Sequence, residues 1–169
     1  IPGSPDRLGA AVPADHGIFE ALNSAAWNAG LSIVIPDGVV LEGPIHVTVP
    51  AAGRTGLPRL LVEVGEGARV DLVEEHTGGL PDSRVFGITE IHVARGARLR
   101  HVLLQAWAGT VRGHLTHRTV LARDAESLTV VSSLGGRLCK ADLGVVLAGE
   151  GARSEIVGMA LGEKRQHMD

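Results

Sequence analysis

Aromatic side chains are nearly missing from this chain. Phe19, Phe86, Trp27 and Trp107 are the whole set, 2% of 169 residues, and there is no tyrosine. A β-sandwich that draws its buried area from large rings is therefore a poor fit. Cysteine occurs once, at Cys139, which excludes an internal disulfide framework and fits a reducing compartment. No apolar run reaches the roughly eighteen residues of a membrane span. Asparagine appears only at positions 23 and 28, which removes leucine-rich repeats, whose turns each want one. Excess positive charge is missing too: the formal net charge is −3, so neither nucleic acid nor an anionic membrane surface is expected as a partner. The opening "IPGSPDRLGA" has neither an initiator methionine nor a signal peptide's charged and apolar regions, and the chain is expected to be part of something longer.

What is present is glycine, 23 residues of it, and a phrase written four times. "EVGEGARVDLVEEH", "HVARGARLRHVLLQ", "VLARDAESLTVVSS" and "VLAGEGARSEIVGM" each read as strand, sharp turn, strand. Gly67, Gly96, Asp124 and Gly151 hold the same place in the turn, at intervals of 29, 28 and 27 residues. Within each copy apolar and polar residues alternate, so one face is buried and one is wet. Val62, Val64 and Val70 oppose Glu63, Glu66, Arg69 and Asp71, while Ile91, Val93, Ala97 and Leu99 oppose His92, Arg98 and Arg100. A unit of this length that cannot bury its own face must stack on its neighbours. No Trp-Asp blade pair and no six-residue period occurs, which leaves a parallel β-helix with one coil per repeat. The fold class is all-β. Ala68, Ala97, Ala125 and Ala152 should lie in line, and Val64, Val93, Leu121 and Ala148 should form one inward row.

The organisation divides at three places. Residues 1–14 read as an extended Pro/Gly-rich arm. Residues 15–30 hold a short capping helix, about 18–28, with Asp15 as its cap, Phe19, Leu22, Ala26 and Trp27 toward the body, and Gly30 just past its end. Residues 31–169 form the β-helix core.

Candidate chemistry is sparse. His114 and His117 in "HLTH" point to opposite faces of a strand and cannot chelate together. His92 and His101, among arginines, read as a solvated face. Glu74, Glu75 and His76 in "VEEH" read as a charged loop margin, since adjacent carboxylates diverge on a strand. The glycine turns lack the Gly-Lys-Ser/Thr of a phosphate loop. Cys139 is the one weak metal or sulfur candidate, with Lys140 able to activate its thiol only if both faced the same way, which strand neighbours do not. Its bland reading is a small buried hydrophobe. No catalytic residue is identified.

Several spaced stretches also carry a family resemblance: "LNSAAWNAGLSIVIPDGVVLEGPIHV", "LVEVGEGARVDLVEEHTGG", "GITEIHVARGARLRHVLLQ" and "DLGVVLAGEGARSEIVGMALGEKRQHMD". Over about residues 22–169 the chain resembles the SufB/SufD family of iron–sulfur cluster assembly scaffolds. Its ending and its Trp-Asn-Ala-Gly helix exit look more like SufD. The resemblance implies a right-handed parallel β-helix and a cytoplasmic complex with a SufB-like paralogue and a SufC-like ATPase. It implies no turnover by this chain and no stably bound cofactor, an iron–sulfur cluster being transient and confined to the full complex. The family's cluster-site residues lie beyond the stretch matching Arg165, Gln166, His167 and Asp169, so none is placed here. Two other functions are weighed beside it: a docking solenoid for an unrelated partner, and a carbohydrate-active β-helix enzyme, for which the aromatic platforms are lacking. The last coil, carrying Ile156 and Met159, is expected to pair with a second copy as a homodimer of the isolated chain.

Overall fold

The computed structural model describes residues 5–169. Residues 1–4 of the expected arm lie outside that range, and the arm's remainder starts with a short 3-10 turn, Pro5–Arg7. One helix, α1 (Ile18–Ala26), precedes twelve strands. These are β1 (Ala29–Ile35), β2 (Ile45–Pro50), β3 (Thr55–Gly56), β4 (Pro58–Val64), β5 (Arg69–Gly78) and β6 (Arg84–Val93). Then come β7 (Arg98–Trp107), β8 (Arg112–Leu121), β9 (Glu126–Ser133), β10 (Leu138–Leu147), β11 (Arg153–Ala160) and β12 (His167–Met168).

The strands form two sheets, and every pairing is parallel. One sheet runs β1-β4-β6-β8-β10-β12, with β3 also on β6; the other runs β11-β9-β7-β5-β2. The chain alternates between them, so each coil contributes one strand to each sheet. The result is a flattened parallel β-helix of about five coils, as the repeat requires.

The tight corner shows why the phrase recurs. Gly67, Gly96, Asp124 and Gly151 all have positive φ, between 55° and 75°. Glycine enters this region freely, and aspartate tolerates it better than most residues. Each corner amide is spent on the next coil: Gly67 N–H donates to Arg95 O, Gly96 to Arg123 O and Asp124 to Glu150 O. Gly38 (φ 69°) belongs to the same ladder, donating to Glu66 O, so the turn has five copies, the first hidden in "PDG". Ala68, Ala97 and Ala125 are fully buried beside these turns, with Ala152 partly buried, in one stacked file.

The inward row is Ile35, Val64, Val93 and Leu121, each in register with the next. Its next member is Leu147, not the expected Ala148. The fifth corner is one residue longer, with Ala148 and Gly149 both donating to Leu121 O, and that extra residue shifts the register. Beyond it protection falls away: Leu147, Ile156, Val157 and Met159 are each at least 44% exposed.

The outer face of the first sheet is strapped. Glu90, wholly buried, accepts from the amides of Gly9 (2.9 Å), Ala11 (3.0 Å) and Val12 (3.1 Å) and from Arg59 Nη2 (2.8 Å). α1 lies against β6 rather than over a coil end. It turns Glu20 and Asn23 inward, not Leu22 and Ala26, which are exposed. Asn23 donates to Pro58 O and Phe86 O, Glu20 accepts from Thr116 and His114, and Phe19 stacks on Phe86 at 4.5 Å. Asp15 does not cap this helix: the N-cap is Gly17, with no side-chain bond, and Gly30 falls inside β1.

Candidate functional site

Strand parity builds a polar cluster inside the coil. In β5, Val70, Leu72, Glu74 and His76 share the inward face. In β7 it is Leu99, His101, Leu103, Gln105 and Trp107, and in β8 Leu115, His117, Thr119 and Leu121. Parallel in-register stacking brings these polar members together. Glu74 Oε1 accepts from His76 Nε2 (2.7 Å) and from Thr89 Oγ1 (2.7 Å). Its other oxygen lies 3.3 Å from His101 Nε2. His101 stacks on His117, ring centroids 4.9 Å apart, and His76 meets the Trp107 ring edge-on.

Burial sets the charges. It pushes the Glu74 carboxyl up, but the imidazoles of His101 and His76 outweigh it and hold the group well below the usual carboxylate range. Glu74 is therefore an anion. His117 is pushed down to about 3, first by burial and then by His101, so its ring is neutral at physiological pH. His76 Nδ1, His101 Nδ1, His117 Nε2, Thr119 Oγ1 and Thr129 Oγ1 are buried without a hydrogen bond inside the protein. A cavity of about 200 Å³ between β1 and β2 of the first coil reaches Glu74 and His76 past Val47, Val49, Leu60 and Ile88. Its walls are mostly apolar, with Arg59, Glu74 and His76 the ionisable side chains that line it. It offers no activated nucleophile.

The SUF system FeS cluster assembly model, SufBD core domain, matches residues 47–169. The chain belongs to the SufBD family. The iron–sulfur cluster assembly protein SufB of Bacillus subtilis is 33% identical over 162 residues, covering 94% of this chain and 35% of that protein. SufBD family proteins of Staphylococcus saprophyticus and Staphylococcus epidermidis are 32% identical over the same length, with the same coverage. The chain thus spans about a third of the length of these curated relatives.

For this SufBD chain the structure sorts the sequence candidates. His114 and His117 do diverge: His114 faces out to Glu20 (3.1 Å) and His117 faces in. Cys139 is buried among Leu103, Trp107, Val111 and Leu115, and burial pushes its thiol up despite a bond from Ser133. Lys140 faces away and pairs with Asp169 at 2.8 Å. Two readings are overturned. Glu74 and His76 are not a loop margin, being 1% and 2% exposed inside the coil. His92 and His101 are not on a solvated face: His101 shares parity with inward Leu99, and His92, facing out, lies under the arm with Arg7 at 3.5 Å. The signal for Glu74 and His76 was available, since both continue the even parity of Val70 and Leu72. Among the described residues no group of three or more His, Cys, Asp or Glu side chains is arranged to hold a metal ion, and no helix is long and apolar enough to cross a membrane.

Proposed function

We propose that this chain is the β-helix middle of a SUF scaffold subunit, SufD-like, acting in iron–sulfur cluster assembly within a cytoplasmic complex. Its partners are a SufB-like paralogue and a SufC-like ATPase. The observation that carries this is the family match over residues 47–169, which falls on the stacked coils themselves. The chain carries out no turnover of its own, and a cluster passes as cargo only in the assembled complex. The one thiol supports that reading, because a cluster usually takes four thiolates and Cys139 is buried with its proton held on. A SufB-like role is the second reading, favoured by the match to the Bacillus subtilis protein named SufB.

The test is affinity purification of the intact protein at native expression, with the captured subunits weighed and identified. An ABC-type ATPase together with a SufB-like paralogue supports the SufD-like assignment. A SufD-like paralogue in its place turns the assignment to SufB, and capture of neither ends the proposal.

A further inference from the structure

The two corners of the coil differ in charge. At the tight corner four arginines have an acid partner, Arg95 with Glu66 (2.8 Å), Arg98 with Glu126 (3.2 Å) and Arg100 with Asp71 on neighbouring rungs and Arg123 with the adjacent Asp124 (3.3 Å), while Arg69 and Arg153 are exposed without an ion pair among the described residues. At the opposite corner every loop from the second sheet back to the first ends on an arginine. Arg54 precedes β3, Arg84 and Arg112 open β6 and β8, Arg137 precedes β10, and Arg165 stands two residues before β12. Arg84 and Arg112 are register partners, and Arg54 and Arg137 lie within one position of that line, their carbonyls accepting from Arg84 and His167. All five side chains are exposed, and none has an ion-pair partner among the described residues. The nearby acids in these loops are Asp82 and Glu163, and Lys164 adds a further cation. Exposed leucines stand in the same loops: Leu80 (54%), Leu134 (37%) and Leu161 (58%). A cleft of about 400 Å³ beside Gly109, Arg137 and Arg165 closes the stripe at its C-terminal end.

We propose that this corner is a docking edge for an acidic amphipathic helix of a protein partner. Stacked rungs repeat every ~4.8 Å, so the five arginines span about 19 Å. Carboxylates on one face of an α-helix recur about every 5.4 Å, and four turns cover about 22 Å, which keeps acid and arginine within reach along the stripe. Guanidinium forks grip carboxylates in pairs, and the exposed leucines of the same loops meet the helix's apolar residues. A dense polyanion fits less well, because the body behind the stripe makes the whole chain net −3. The inference is independent of which SUF subunit the chain represents.

The experiment measures fluorescence anisotropy of the intact protein with a labelled helical peptide of about sixteen residues, glutamates on one face flanked by leucines. Its Glu→Gln counterpart and a short duplex DNA are the comparison probes. The acidic peptide is expected to bind and to weaken steeply between about 50 and 300 mM salt. The Arg84→Glu/Arg112→Glu protein should lose at least about tenfold in affinity, and Arg95→Glu, on the other corner, less than about twofold. If the double reversal does not fold, judged by its circular dichroism, Arg84→Gln/Arg112→Gln replaces it with a smaller loss expected. Equal binding by wild type and corner variants overturns the proposal. So does tighter binding of the DNA or of the glutamine peptide, or no binding of the acidic peptide.

Discussion

Acidification should destabilise the fold through His117, and the size of the effect can be worked out. Its ring is stacked on His101 inside the coil, with Glu74 and Arg118 the other charged groups near it, and it takes a proton only at about pH 3. In the unfolded chain its ordinary value of 6.5 returns. A histidine lowered in this way contributes stability that is fully present above pH 6.5 and is lost as pH falls toward 3. Each pH unit in that window costs the folded state about 1.4 kcal/mol, so moving from pH 7 to pH 5 removes about 2 kcal/mol. Glu74, held low, keeps its contribution over that range and loses it only at lower pH. Urea unfolding at pH 7, 6 and 5 on wild type and His117→Leu measures the difference. The wild type should lose about 2 kcal/mol more than the variant between the two ends. Parallel pH profiles would refute the buried neutral imidazole.

Val93→Asp buries a carboxylate with no partner and should cost at least about 3 kcal/mol, while Arg95→Ala leaves the urea midpoint where it was; equal midpoints reject the facing of this strand. Glu90→Ala should release the arm, costing about 3 kcal/mol by stranding Arg59 and three amides, and raising the rate of tryptic cleavage after Arg7; unchanged cleavage contradicts the strap. Cys139 should resist thiol reagents until urea unfolds the chain, and iron and sulfide should leave no lasting visible absorbance. A chromophore abolished by Cys139→Ser would make that cysteine a ligand.

The architecture was legible because stacking repeats a chemical demand. Each coil needs one residue in the left-handed region, and Gly67, Gly96, Asp124 and Gly151 met that demand at near-constant spacing. The copy at Gly38 escaped because its Pro-Asp-Gly reads as an ordinary turn. The lumen cluster was missed for a different reason. Charge on Glu74 and His76 argued for solvent, whereas parity with Val70 and Leu72 argued for the interior, and parity won because His76 and Thr89 hydrogen-bond one carboxylate oxygen and His101 stands 3.3 Å from the other. His92 shows what a strand pattern cannot carry, since its burial comes from a segment 85 residues earlier in the chain. Likewise Glu20 and Asn23 face the sheet because strand groups await them there, a preference no helical periodicity contains.

The corner ladder also has a direction in time. Each corner amide donates to a carbonyl one coil later, and strand pairing never reaches past the adjacent rung, so sequence separations stay near 29 residues. A growing chain can therefore add coils onto a surface already formed, each finished rung serving as template for the next. Contacts of the N-terminal segment break that local order: Glu90 grips the arm 81 residues away, Glu20 reaches Thr116 across 96, and His16 meets Asp142 across 126. The strap on the outer face must wait until the third and fourth coils exist. Elongation comes first and fastening second, so a nascent chain halted before β6 would carry its first coils with the arm not yet on Glu90 and α1 not yet on Phe86.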